Sequence, residues 1–73
     1  MEGLEKLLLT LDKSEIAYVK FILEGYDGLG ILSTKDPHEA SAILTYPRER
    51  RALINELMSV LAKEGVLKEV QNL

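Results

Sequence analysis

The 73-residue chain contains no cysteine. That excludes a disulfide framework, a thiolate metal site and a cysteine nucleophile. It contains a single histidine, His38, between Asp36 and Glu39. A metal site needs more ligands of suitable type and geometry than this trio offers, and nothing nearby orients the ring as a general base. His38 therefore reads as a solvated turn residue. No G-x-S-x-G is present, so Ser14, Ser33, Ser41, Ser59, Thr34 and Thr45 read as caps or surface residues rather than nucleophiles.

Basic charge is also scarce. The formal net charge is −3. Residues 1–28 carry six acids against three lysines, and residues 29–73 carry six acids against six bases. Neither half offers the excess that nucleic-acid backbones or anionic lipids reward, so neither is an expected partner. The apolar run Leu7-Leu8-Leu9 is far too short to span a bilayer and lacks the flanks of a secretory signal. A cytoplasmic location is the resulting expectation.

Glycine clusters once, in Glu24-Gly25-Tyr26-Asp27-Gly28-Leu29-Gly30. A phosphate loop stands between a strand and a helix N-terminus and carries a lysine and a hydroxyl. This segment follows a helix and has neither, so it reads as a helix stop and turn.

What is present is enough apolar material for one small core. At 47% hydrophobic the chain can collapse, and its length allows one domain, residues 1–73, with an ordered core about residues 6–70. A domain this short buries only about 60% of its unfolded surface. Leu7–Leu11 reads as a buried strand closed by Asp12. Asp12-Lys13-Ser14-Glu15 has the form of a capping box, with reciprocal bonds between the two acids and each other's backbone N–H. Ile16, Val19, Ile22, Leu23 and Tyr26 then recur at helical spacing, and Gly25 or Gly28 ends that helix. Leu29–Thr34 and Ala42–Tyr46 read as two strands joined through Asp36-Pro37-His38-Glu39, close enough to form an antiparallel hairpin. Pro47 opens a second helix with Leu53, Ile54, Leu57, Met58, Val60 and Leu61 as its apolar stripe, closed by Gly65. Val66–Val70 reads as a last strand, with residues 1–5 and 71–73 fraying.

The order β-α-β-β-α-β predicts an α+β, ferredoxin-like two-layer sandwich: a four-stranded antiparallel sheet with both helices on one face. Right-handed crossovers put the first and third strands in the middle. Neighbours of that topology are poorly matched. The arginine-bearing loop of acylphosphatases is absent, the Cys-x-x-Cys of metal chaperones cannot be formed, and Leu7–Leu11 has no aromatic of the kind RNA-recognition motifs stack on bases.

The segment from Tyr18-Val19-Lys20-Phe21-Ile22-Leu23-Glu24-Gly25-Tyr26-Asp27-Gly28-Leu29, through Ser33-Thr34, to Tyr46-Pro47 resembles a family of short bacterial domains of unknown function. The resemblance spans Ile16 to Val70 and implies no particular activity. More distantly the pattern is similar to ACT-like regulatory modules, which pair into dimers and bind amino acids near the first strand–helix loop. That likeness points to Asp12, Lys13 and Ser14, although the loop lacks the glycine usual in ACT-like ligand loops.

Two features invite a function. Arg48-Glu49-Arg50-Arg51 places three cations at the positive end of a helix, where the dipole disfavours them. Either guanidinium forks and backbone N–H groups converge on a carboxylate or phosphate, or a neighbouring acid compensates. The second feature is surplus apolar surface. Tyr18 and Phe21 widen the first helix's apolar arc, while Leu8 and one of Ile31 and Leu32 fall on the sheet face away from the helices. Leu8, Tyr18, Phe21 and Leu32 are thus candidate interface residues. The expectation is a non-catalytic interaction, assembly or regulatory module, not an enzyme, with no cofactor or metal. It is expected to form a homodimer through the sheet face or a sheet edge. The alternative is an ACT-like domain binding an amino acid or other small anion near the loop of Asp12, Lys13 and Ser14 or near Arg48, Arg50 and Arg51.

Overall fold

The computed structural model describes residues 3–25, 29–36 and 38–73. Strand β1 (Leu4–Leu11) leads through a 3₁₀ turn (Lys13–Glu15) into helix α1 (Ile16–Gly25). Strands β2 (Ile31–Asp36) and β3 (Ser41–Pro47) follow as an antiparallel hairpin. A second 3₁₀ turn (Arg48–Arg50) enters helix α2 (Arg51–Lys63), and strand β4 (Leu67–Asn72) ends the order. The sheet runs β2-β3-β1-β4, every pair antiparallel. This is the ferredoxin-like α+β layout, with β1 and β3 central as the crossover rule requires.

Strand parity decides what is buried. Leu7, Leu9 and Leu11 share one face of β1 and meet Ala42, Leu44 and Tyr46 of β3 beneath the helices. Val19 and Leu23 of α1, and Ile54, Met58 and Leu61 of α2, close over them. Each fully covered leucine, isoleucine, valine or methionine among them contributes about 1.5–3 kcal/mol relative to exposure. Leu32 belongs to this core. It lies opposite Leu44 and is only 4% exposed, so it is no interface residue; Ile31, 64% exposed, is the one on the open face.

The strands extend beyond their apolar runs. β1 begins at Leu4, because Leu4, Glu5 and Lys6 pair with Pro47, Tyr46 and Thr45. β4 reaches Asn72, and the Leu73 N–H donates to the Lys6 carbonyl at 3.2 Å. The expected fraying at Leu4–Glu5 and Gln71–Leu73 is therefore replaced by pairing. β2 starts and ends two residues later than its apolar run suggests. Gly30 stands just before it, packed so closely on β3 that an added Cβ would lie 2.8 Å from Leu44 Cδ1 and 3.1 Å from the Thr45 carbonyl oxygen.

Local chemistry sets the ends. Asp36 accepts the N–H of His38 at 2.9 Å, an Asx turn that leaves His38 exposed. Gly65 closes α2 as expected. At φ +79° it lets its own N–H reach Ala62 and the Val66 N–H reach Leu61, the two bonds of a Schellman motif. α1 ends at Gly25, and the alternatives involving Tyr26 and Gly28 lie outside the described residues. The capping box does not form. The Glu15 N–H donates to the Asp12 backbone carbonyl instead, and the Asp12 carboxylate is drawn to Lys68, 2.8 Å away on β4. A lysine on a neighbouring strand outcompetes the local N–H.

Candidate functional site

Two concave regions stand out, at different places on the molecule. The first is an apolar groove of about 810 Å³ between the helices. Its sides are Tyr18 and Ile22 of α1 and Leu53, Leu57 and Val60 of α2, with Leu29 and Leu61 below. On a 3.6-residue wheel Leu53, Leu57 and Val60 flank the buried arc of Ile54, Met58 and Leu61. They are part of one apolar stripe wider than the sheet can cover. Tyr18 is 45% exposed and Leu53 and Val60 are each 50% exposed. Phe21 is not among the lining residues; it follows Tyr18 by three positions on α1, hence neighbours it on the helix surface, and is 76% exposed. Glu56, Ser59, Lys63 and Glu64 form a polar rim.

The candidate interface residues thus separate. Tyr18 and Phe21 lie on the helix layer, Leu8 lies half-buried on the opposite, open face of the sheet, and Leu32 is in the core. No single surface of one copy contains them all. On the open face, Ile43 lies between Ser33 and Leu8, and Thr45 between Ile31 and Lys6. Its apolar side chains are interrupted by polar ones.

The second region is polar and lies where β1 begins and β3 ends. Glu5, Tyr46, Arg48, Arg51, Asn55 and Asn72 line it. The Glu5 carboxylate takes a bidentate contact from Arg51, with Nε to Oε1 at 2.9 Å and a second guanidinium nitrogen to Oε2. Arg48 Nε lies 4.0 Å from the same carboxylate. The bonds from Arg51 hold the Glu5 carboxyl below its ordinary range, against a smaller opposing effect of burial. Burial, then the Glu5 carboxylate, raises the Tyr46 phenol above its ordinary value. The compensating acid for the arginine turn is therefore Glu5, 46 residues before Arg51. It stands where an external anion would bind.

The two alternative anion-binding places lie far apart. Asp12, Lys13 and Ser14 lie at the far end of β1 from Arg48 and Arg51, a separation on the order of 25 Å for a strand of this length. Arg50 follows Arg48 but does not line the polar region. Among the described residues no group of three or more acid, histidine or cysteine side chains could hold a metal ion, and no helix is long and apolar enough to cross a membrane.

A family model described as a domain of unknown function, DUF4911, matches residues 9–64, most of the chain. The chain belongs to DUF4911. No curated protein matches it, and no solved structure does. The match runs from the middle of β1 through both helices, so it contains every apolar side chain named for the groove, whereas Glu5 and Asn72 of the polar region fall outside it. The sequence places Leu53 and Val60 in the apolar stripe of the second helix without separating its buried centre from its edge. Their spacing of seven, on the flank of the arc set by Ile54 and Leu61, was the signal of an exposed edge.

Proposed function

We propose that this DUF4911 domain is a non-catalytic protein-interaction module whose working surface is the groove between α1 and α2. One observation carries the reading. Tyr18, Leu53 and Val60, all at least 45% exposed, line a single groove instead of scattering. Contiguous apolar surface with a polar rim is the usual mark of an association site. The rival, a small-anion site, has less support, since Glu5 already occupies the arginine fork and the Asp12–Ser14 loop is remote from it.

The test uses a naphthalene sulfonate dye whose fluorescence rises in apolar surroundings, with dilute native protein at neutral pH. Saturable binding lost in Val60→Lys but kept in Ile31→Lys is expected. Absence of saturable binding, or equal loss in both variants, would remove the reading.

A further inference from the structure

We infer that the occupant of the groove is a second copy of this chain, each copy placing its Phe21 in the groove of the other. The inference rests on the groove being an interaction surface. It goes further by naming the partner and the side chain that enters.

Three observations carry it. The first is the arrangement of α1. Tyr18 lines the groove, while Phe21, on the next turn, stands outside it and is the most exposed large hydrophobic residue described. A two-fold interface is made from the same patch on both partners, so it needs a knob and a hole side by side. Phe21 beside the groove supplies both.

The second is area. A standard interface takes about 800 Å² from each partner, of which a little over half, about 450 Å², is apolar. An aromatic side chain buries roughly 150–250 Å² when fully covered, so Phe21 and Tyr18 at their observed exposures still offer on the order of 250 Å². The half-exposed Leu53 and Val60 add on the order of 100 Å². Those four side chains supply roughly two thirds to three quarters of the apolar share of a standard interface.

The third is charge. The rim carries both signs, Glu56 and Glu64 with Lys63. A single-sign rim would repel its own copy across a two-fold axis, whereas a mixed rim can pair with itself. The chain's overall charge of −3 weighs mildly against association of any kind, and salt screens that term.

The experiment is molar mass by light scattering from micromolar to millimolar concentration, on the native chain and on Phe21→Lys, Val60→Lys and Ile31→Lys. All three substitutions are at exposed positions, and circular dichroism checks that each variant folds. Native protein that doubles in mass, with the midpoint moved upward at least tenfold in Phe21→Lys and Val60→Lys but not in Ile31→Lys, supports the dimer. A native monomer throughout, or a dimer lost only in Ile31→Lys, overturns it. Dye binding separates this failure from failure of the groove itself. A monomer that still binds dye at the groove has the surface but another partner, whereas one that binds none has no such surface.

Discussion

The open face of the sheet and the outer side of the helix layer are both left to solvent, yet they hold apolar residues differently. On the sheet, polar neighbours confine them: the Ile43–Leu8 pair lies between Ser33 and Gln71, and Ile31 is separated from it by Thr45 and Lys6. On the helices, positions three, four and seven apart fall together, so Tyr18, Ile22, Leu53, Leu57 and Val60 merge into one groove. A similar number of exposed hydrophobes makes a diluted surface in one case and a continuous one in the other. Period therefore matters more than count in locating an interface, and it moves the expected interface from the sheet to the helices.

The sharpest way to probe this contrast is on one strand. Leu9 is fully buried under the helices and its neighbour Leu8 faces the open side. Leu9→Ala is expected to cost about 2–5 kcal/mol in denaturant unfolding, and Leu8→Ala under about 1 kcal/mol. Comparable losses would mean the open face is packed against something in solution, and the contrast would fail. A smaller effect is expected at the base of the groove. Gly30→Ala forces a methyl against Leu44 and the Thr45 carbonyl, and should lower stability by about 1–3 kcal/mol. It should also weaken dye binding, because Leu29 next to it lines the groove. The smallest effect belongs to the polar region. The Glu5 carboxyl titrates lower when folded than when unfolded, where 4.5 is its ordinary value. The stability it contributes is thus present above about that pH and is lost as acid takes the protein through the lower folded value. Glu5→Gln should flatten the acid limb of the melting-temperature profile below pH 4.5, while leaving dye binding at neutral pH unchanged. An unchanged acid limb would show that the Arg51 contact does not persist in solution.

The order of elements and the central place of β1 and β3 were legible because periodicity and Gly65 act locally; Pro47, read as the opening of the second helix, instead ends β3, and α2 starts at Arg51. What escaped the sequence was decided by pairing at a distance. Leu4 and Glu5 look unlike strand until Pro47 and Tyr46 lie opposite them. Asp12 looks like a helix cap until Lys68 arrives from β4. The arginine turn calls for either an external anion or a neighbouring acid, and which acid is invisible until β1 delivers Glu5. Ile31 and Leu32 could not be told apart without the register of β2 on β3. The apolar excess of α1 was visible from its wheel, but the gap between the helices was not, since it depends on how both lie across the sheet.

The central position of β1 has a kinetic consequence. Its partners come late: Leu9 pairs with Ala42 on one side and Val70 on the other. The β2–β3 hairpin can close locally, whereas β1 must wait for a long loop to be drawn in, and non-local pairing of this kind slows folding. During that wait Leu7–Leu11, an uncharged leucine-rich segment, is unpaired on both edges. The stretch that ends as the most protected strand of the native sheet is the one most exposed to misassembly on the way there.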